Sequence, residues 1–373
     1  MIPKQTALAP ILVPGMANAV NVLLITERTV KYQGVSFLRQ EKRPMTVRLS
    51  IFIATISKTD NHLIFDQREL TAKDKNTPAG GGGKMHKREL IVIGIVLALT
   101  LGLFFLTKLA RVVEVKASTN LAWLHSALIA HRGLHDNNQE IPENSMAAFK
   151  GAIEKGYIIE LDVAMTKDGK LVVYHDKKLR RGLGVDQYLH ELTYDELTKY
   201  KLFGSTETVP LFSQVLTMVA GRVPLLIEIK NEGKVGDLES LLYEKLQSYQ
   251  GQYAIQSFNP FTLQWFRQNA PEILRGQLAG SFEVSDYDVE FAGTTRLPWY
   301  KRLVLENMLL NFISRPQFIS YEINNTSTAR LKTLKRMGVP LLGWTVKTKA
   351  EYLEAKEIFD NLIVDAVLKS LFP

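Results

Sequence analysis

Residues 127–163 read ALIAHRGLHDNNQEIPENSMAAFKGAIEKGYIIELDV, and the order of apolar and polar residues in them predicts the fold. A short apolar run is followed by a polar loop, an amphipathic stretch of helical length and a second apolar run. Asn144 or Ser145 can cap the helix, and Gly156 can end it. The stretch therefore predicts a strand–helix–strand unit of a parallel sheet.

The same alternation continues to the end of the chain. It provides nine strand candidates: ALIAHRG, YIIELDV, KLVVYHD, VPLLIEIK, YAIQSF, RGQLAGSF, FISYEI, PLLGWTV and NLIVDAV. About 250 residues in this rhythm favour an α/β fold of the (β/α)8 TIM-barrel type over a doubly wound open sheet, which is the alternative. A barrel needs eight strands, so one candidate is surplus, and FISYEI and NLIVDAV are the two weakest.

An uncharged run of 17 residues, LIVIGIVLALTLGLFFL, occupies Leu90–Leu106. Its length lies at the short end of a bilayer-spanning helix. We therefore predict a single-pass membrane anchor over residues 85–110, with residues 90–107 in the bilayer. More Lys and Arg precede the run than follow it, which favours a cytoplasmic N-terminus and a barrel outside the cytoplasm. No small-x-small site follows the run, so we expect the anchor to remain uncleaved.

Residues 1–84 mix short apolar runs with basic clusters and end in NTPAGGGG, a composition typical of a flexible linker. We predict a poorly structured tract here. MHKREL at Met85 resembles the start of a membrane-targeting segment, so a second hypothesis is that the native chain begins at Met85. The remaining residues, 117–373, form the predicted barrel domain.

Charge and cysteine content exclude several functions. Residues 1–116 contain 17 Lys and Arg against 8 Asp and Glu, whereas residues 117–373 contain 29 against 30. The predicted barrel is thus nearly neutral, which argues against a nucleic-acid partner. The chain has no cysteine, which excludes disulfides, thiolate nucleophiles and Cys-ligated metal sites.

Ionisable residues end four consecutive apolar runs of the predicted barrel. These are His131 and Arg132, Glu160 and Asp162, His175 and Asp176, and Glu228 and Lys230. The carboxyl ends of barrel strands surround one rim, so we expect all of these side chains to meet there. They form the candidate active site.

Three of these residues are carboxylates, Glu160, Asp162 and Glu228. The first two lie two positions apart on one strand, so their side chains point to the same face. Carboxylates this close repel each other unless a cation lies between them, and an oxygen-only site suits Mg²⁺ or Ca²⁺. The alternative is that the acids form salt bridges with Arg132 and Lys230.

Two histidines, His131 and His175, stand at these strand ends. Paired imidazoles can act as general acid and general base in phosphoryl chemistry. Loop positions without chemistry are the better interpretation for His86, His125 and His190. His135 fits either interpretation by its position, and we predict that it is a loop residue and that His175 is the partner of His131.

The ordered set of motifs resembles the glycerophosphodiester phosphodiesterase family across residues 128–366. The motifs are HRG (131–133), PENS (142–145), ELDV (160–163), TKDGKLVVYHD (166–176), IEIK (227–230), SF (257–258) and GWTV (343–346). NLIVDAV is a loose match to the G-I-x-T-D ending of the family.

The resemblance implies a TIM barrel that binds one divalent cation, Ca²⁺ or Mg²⁺, through Glu160, Asp162 and Glu228. It implies acid–base roles for His131 and His175. Arg132 and Lys230 would contact phosphate oxygens, Glu143 would support the site, and Trp344 would line the glycerol or leaving-group side.

We therefore expect metal-dependent hydrolysis of glycerophosphodiesters to glycerol 3-phosphate and an alcohol. A second hypothesis keeps the fold and chemistry but takes a lipid substrate, such as a lysophospholipid or a phosphoinositide. A third, from a different class, is a barrel that binds a ligand without catalysis. Both histidines and all three carboxylates are present, which argues against the third hypothesis.

Overall fold

The computed structural model describes residues 21–27, 46–56, 63–73, 92, 94–103, 121–231, 234–325 and 328–365. The chain divides into two compact units, Met1–Leu109 and Ala110–Pro373. Each unit has its own sheet.

The first unit contains a three-stranded antiparallel sheet. Its strands are β1 (Asn21–Glu27), β2 (Thr46–Ile56) and β3 (Leu63–Lys73), with β2 in the middle. We predicted a poorly structured tract before residue 85, and the structure differs at these three strands. The apolar runs are long enough to pair as strands, a pattern that the basic clusters between them obscured in the sequence. The hypothesis that the native chain begins at Met85 stays a prediction.

The predicted membrane anchor is only partly covered by the described residues. Residues 94–103 form a helix, α1. Of the other residues of the predicted anchor, only residue 92 is among those that the structure describes. Within the described residues, no helix has both the length and the apolar content that crossing a bilayer requires. The anchor stays a prediction.

The second unit is built on a nine-stranded sheet. Its strands are β4 (Ile129–Ala130), β5 (Ile158–Met165), β6 (Leu171–Val173), β7 (Leu225–Ile229), β8 (Tyr253–Ser257), β9 (Leu274–Ala279), β10 (Phe318–Glu322), β11 (Leu341–Val346) and β12 (Asn361–Val364). All except β6 are parallel and form a closed ring, because β4 pairs with both β12 and β5. The predicted eight-stranded barrel is confirmed.

The surplus strand is β6, so our choice of FISYEI and NLIVDAV as the weakest candidates was wrong. Both of these are barrel strands, β10 and β12. Strand β6 instead pairs antiparallel with the end of β5, where Val163 faces Val173. Only residues 166–170 separate the two strands, and a connection this short can join only antiparallel neighbours.

Helices connect the strands. They are α2 (Met146–Lys155), α3 (Arg180–Leu183), α4 (Tyr194–Leu197), α5 (Phe212–Val219), α6 (Asp237–Gln247), α7 (Pro260–Asn269), α8 (Trp299–Glu306), α9 (Asn311–Ser314), α10 (Thr328–Arg336) and α11 (Lys349–Ala355). Helix α2 begins at the Ser145 cap, whose hydroxyl accepts from the Ala148 amide at 3.1 Å, and it ends at Gly156. Ser145, and not Asn144, is thus the cap.

An apolar layer closes the amino end of the barrel. Each of the eight parallel strands contributes one buried side chain: Ile129, Ile158, Leu226, Ala254, Leu274, Phe318, Leu342 and Ile363. Trp123 and Leu124, on the short 3-10 turn Ala122–His125, pack against this layer from below. The layer forms the floor on which the polar site stands.

Candidate active site

The candidate site is the next layer of inward-facing residues. Side chains two positions apart on a strand share a face, so the positions two residues beyond the floor point into the same interior. These positions are His131, Glu160, Glu228, Gln256, Gly276, Ser320, Trp344 and Asp365. Four predicted site residues, His131, Glu160, Glu228 and Trp344, belong to this layer, and two more, Asp162 and Lys230, lie two positions beyond it.

The three predicted metal ligands meet in the structure. One oxygen each of Glu160, Asp162 and Glu228 lies within 4.8 Å of the others, and all three side chains are buried. Strands β5 and β7 place them, since Asp162 and Glu228 are paired across the two strands. Three buried carboxylate oxygens are a donor set that can hold a hard divalent cation.

The predicted salt-bridge alternative is also present. Lys230 Nζ lies 2.5 Å from Glu228 and 3.1 Å from Asp162, and Arg132 Nε lies 3.4 Å from Asp162. The two interpretations are compatible, because a carboxylate oxygen has more than one lone pair and can accept from a cationic side chain while it ligates a metal ion.

The three carboxyl groups differ in protonation. Burial and the charges of Asp162 and Glu228 raise the pKa of Glu160 well above its usual range. Burial likewise raises the pKa of Glu228 to about 7. Burial would also raise the pKa of Asp162, but Lys230 and other nearby positive groups hold it below its usual range. The cluster therefore holds more carboxyl groups than its protein cations can keep ionised, and a divalent cation would bind by displacing protons from Glu160 and Glu228.

Arg132 is held on several sides. Its backbone N–H donates to Glu160 at 3.0 Å, and its Nη1 donates to Glu143 at 2.6 Å. The tight loop after β4 makes this possible. Gly133 there has φ +82°, and a Cβ at this position would lie 2.9 Å from the backbone of Ala148.

Glu143 connects two arginines, which agrees with its predicted supporting position. Arg181 donates to Glu143 at 2.5 Å and to Asp176 at 2.5 Å. Sequence reasoning missed Arg181, because it lies on α3, outside every motif that points to the rim. The chain of ion pairs therefore extends from Arg132 to Asp176.

His175 ends this chain of ion pairs. Its Nδ1 lies 2.6 Å from Asp176, which leaves Nε2 for a substrate. Burial and the charges of Arg132 and Lys230 lower the pKa of His175 to about 4, so the imidazole is neutral near pH 7. The strand before His175 is β6 and not a barrel strand, so the prediction of four consecutive barrel strands was wrong on this point. The β5–β6 hairpin nevertheless places His175 near Asp162.

His131 follows β4 as predicted. Burial and the charge of Arg132 lower its pKa, and its Nδ1 lies 3.6 Å from Asp365. His135 is a loop residue as predicted, but it is also buried and its Nε2 lies 2.6 Å from Asp365, which was not predicted. Asp365 was also missed, although it stands two positions beyond the floor residue Ile363, and that spacing could have found it.

Trp344 lies in an aromatic wall. Its ring meets Phe258 edge to face at 5.5 Å, and Phe258 meets Phe282 in the same way. Phe258 and Phe282 follow β8 and β9, and Trp344 lies on β11. Within the described residues, the Trp344 indole N–H is buried without an acceptor. The wall gives the site one apolar side, and the role of Trp344 beside the glycerol or leaving group stays a prediction.

Two further polar residues support the metal cluster. Asn144 Nδ2 donates to Asp162 at 2.8 Å, and Gln256 lies 3.4 Å from Glu160. Ser320 in turn donates to Gln256 at 2.7 Å. His125 and His190 are exposed on short turns, as expected, and His86 lies outside the described residues.

Comparisons with known proteins agree with this geometry. Residues 131–369 match the model of the glycerophosphoryl diester phosphodiesterase family. A glycerophosphodiester phosphodiesterase of Caldanaerobacter subterraneus subsp. tengcongensis is 30% identical over 255 residues, which cover 65% of this chain and 95% of that protein. The human lysophospholipase D GDPD1 is 34% identical over 120 residues, or 29% of this chain and 37% of that one.

A solved structure shares the fold. It is a phosphodiesterase of Oleispira antarctica in complex with the product sn-glycerol 3-phosphate, with a TM-score of 0.53 and 21% identity. The match covers 66% of this chain and 94% of that chain.

Proposed function

Because the chain belongs to the glycerophosphoryl diester phosphodiesterase family, whose members are phosphoric diester hydrolases, we propose that it cleaves glycerophosphodiesters to glycerol 3-phosphate and an alcohol. The observation that carries the proposal is the meeting of three buried carboxylates with Lys230, Arg132 and two imidazoles at one end of the barrel. Phosphodiester hydrolysis uses these groups in combination.

The charges suit a phosphodiester. The substrate carries one negative charge, and more charge develops on its oxygens in the transition state. A divalent cation held by Glu160, Asp162 and Glu228 would stabilise that charge. Lys230 and Arg132 add two fixed positive groups, and the ion pairs with Asp162, Glu228 and Glu143 hold them in place.

The imidazoles provide the proton transfers. His175, with Nδ1 against Asp176, presents Nε2 as an acceptor or donor, and His131 presents its own Nε2 from β4. One imidazole takes a proton from the attacking hydroxyl, and the other gives a proton to the leaving alkoxide. The attacking group is water, or the glycerol 2-hydroxyl through a cyclic phosphate that water then opens. Phosphorus NMR of a single turnover distinguishes the two, because only the second produces a cyclic phosphate.

A lysophospholipid is the second candidate substrate. The aromatic wall of Trp344, Phe258 and Phe282 favours it, since an apolar side next to the phosphate site can accept an acyl chain. The partial similarity to a human lysophospholipase D supports the same candidate.

Membrane attachment is a further part of the proposal. The uncharged run of residues 90–106 and the charges that flank it support a single-pass anchor through residues 90–107, with the barrel outside the cytoplasm. Protease added to intact cells should then digest the barrel. A barrel that is digested only after lysis would contradict this topology.

The test of function uses the purified full-length chain with glycerophosphocholine and Mg²⁺ or Ca²⁺, and measures glycerol 3-phosphate. We expect turnover that EDTA abolishes and that His131→Ala reduces. Activity that persists in EDTA would reject the metal site. Cleavage of lysolipid micelles without cleavage of any glycerophosphodiester would favour the second substrate, and binding without cleavage of either would favour the non-catalytic hypothesis.

A further inference from the structure

Asp365 lies directly after β12 and faces two imidazoles at once. Its Oδ1 is 2.6 Å from His135 Nε2 and 3.6 Å from His131 Nδ1. His135 is almost fully buried, and the side chain of Asp365 is only one-fifth exposed. The proton transfers of the proposed reaction use neither Asp365 nor His135, although Asp365 contacts both His135 and His131.

The hydrogen bonds of His135 define its tautomer. The backbone N–H of Asn137 donates to His135 Nδ1 at 3.2 Å, so this nitrogen is an acceptor and carries no proton. The proton of the neutral ring is then on Nε2, which faces Asp365. His135 Nε2 contacts Asp365 Oδ1 at 2.6 Å without hydrogen-bond alignment, and a rotation of the ring would let its N–H donate to the carboxylate and hold it in place.

The same logic applies to His131. A carboxylate beside Nδ1 favours the tautomer in which Nδ1 carries the proton, and Nε2 is then free to accept one. In serine protease triads a buried aspartate orients the histidine in this way. The 3.6 Å separation is longer than a hydrogen bond, and a movement of the His131 ring by about 0.7 Å would close it.

We propose that Asp365 and His135 are positioning residues for His131: His135 fixes Asp365, and Asp365 holds His131 with Nε2 directed at the substrate. The inference rests on the proposed function, because it assumes that His131 exchanges a proton with the phosphodiester. The other charged groups that act on His131 are Arg132 and Asp162, and among the described ion pairs of its Nδ1 only Asp365 takes part.

A metal ion is the competing explanation, because one ligand atom each of His131, His135 and Asp365 lies within 4.8 Å of the others. The short distance between His135 Nε2 and Asp365 argues for a hydrogen bond instead. Two ligands of a tetrahedral ion, each about 2.0 Å from it, would lie about 3.3 Å apart. The 2.6 Å observed is the distance of a charge-assisted hydrogen bond.

Three variants of the full-length chain test the proposal: Asp365→Asn, His135→Leu and His135→Gln. We expect Asp365→Asn to lower kcat by about 10²- to 10⁴-fold with little change in KM, because an amide can stabilise the wrong His131 tautomer. His135→Leu should lower kcat less. His135→Gln should recover part of the loss, because its amide N–H can donate to Asp365.

The pH profile separates positioning from a structural role. The charge of Asp365 raises the pKa of His131, so removing it should move one limb of the kcat/KM profile to lower pH. The acidic limb moves if His131 is the base, and the basic limb moves if it is the acid. The exposed residues Asp186 and His190 provide the matched controls Asp186→Asn and His190→Gln, which should leave kcat and both limbs unchanged.

Nitrogen NMR of histidine-labelled protein reads the tautomer directly and does not depend on activity. We expect Nδ1–H on His131 in the wild type and loss of that preference in Asp365→Asn.

The proposal is overturned if the wild type shows Nε2–H, or if Asp365→Asn keeps full activity with an unshifted profile. Loss of a second equivalent of bound metal in Asp365→Asn would establish the metal site in its place. A wild-type chain that cleaves no phosphodiester rejects the proposed function, and the NMR result still decides the tautomer.

Discussion

Glu160 and Asp162 lie two positions apart on β5, yet their pKa values shift in opposite directions. Both are buried, but Asp162 contacts Lys230 at 3.1 Å and accepts from Asn144, whereas Glu160 accepts from the Arg132 amide and from Gln256 and has no ion pair among the described residues. Positively charged groups thus surround Asp162 and lower its pKa. Burial and the neighbouring carboxylates dominate at Glu160 and raise its pKa.

We predict from this difference that metal affinity rises with pH. Burial raises the pKa of Glu160, and raises the pKa of Glu228 to about 7, so a cation must displace protons from both groups at lower pH. Isothermal titration with Mg²⁺ or Ca²⁺ in buffers of different ionisation enthalpy should show proton release near pH 6.5. Affinity that does not change between pH 6 and pH 8 would contradict the prediction.

The metal-free chain should lose stability as the pH rises through about 7. A carboxyl group whose folded-state pKa is raised stabilises the fold below its unfolded pKa, and this contribution disappears above the folded pKa. The thermal midpoint in EDTA should therefore fall between pH 6 and pH 8. Added Mg²⁺ or Ca²⁺ should restore more stability at pH 8 than at pH 6, and differential scanning calorimetry measures both.

Arg181→Gln should reduce both stability and activity. Arg181 is mostly buried and pairs with Glu143 and Asp176, so its loss leaves buried Asp176 without an arginine and Glu143 with Arg132 alone. Removing one partner of such a pair costs about 3–5 kcal/mol of unfolding free energy. Urea denaturation measures it, and kcat should fall because Asp176 orients His175. Its neighbour Arg180 pairs with exposed Glu290, so Arg180→Gln is the control and should change stability by less than about 1 kcal/mol.

Lys230→Met should lower kcat/KM by about 10²- to 10³-fold, the usual effect of removing a fixed positive group that faces a transition-state charge. Lys230 contacts Glu228 and Asp162 in the site. Steady-state kinetics on glycerophosphocholine tests this, with Lys245→Met as the control because Lys245 pairs only with exposed Glu244 among the described ion pairs. Equal activity of the two variants would show that Lys230 takes no part in the reaction.

Two adjacent residues should separate folding from chemistry. Ser145→Ala removes the cap of α2 and should cost about 1 kcal/mol of unfolding free energy with little effect on kcat. Asn144→Gly keeps a residue suited to its positive φ but removes the amide that donates to Asp162. It should weaken metal affinity by about 10- to 100-fold, as titration calorimetry can show. The prediction is contradicted if Ser145→Ala weakens metal binding or if Asn144→Gly leaves metal binding unchanged.

The sequence alone determined the barrel and most of the reactive groups. Alternating apolar strands and helices predict parallel strands, and their carboxyl ends then identify the rim. The spacing of Glu160 and Asp162 places both on one face, because the side-chain period of a strand is two. Such local rules operate over a few residues, so they can be read directly from the chain.

Tertiary structure decided the remaining points, and each of them depends on contacts between distant segments. Closure of the ring by pairing β12 with β4 brings Asp365 beside His131 and His135, which come from the other end of the domain. The β5–β6 hairpin replaces an expected barrel strand and still delivers His175 to the rim. Arg181 joins the site from α3, a helix of four residues that is too short to show a periodic signal. Local periodicity specifies which face a side chain takes, but only the closed barrel specifies which faces meet.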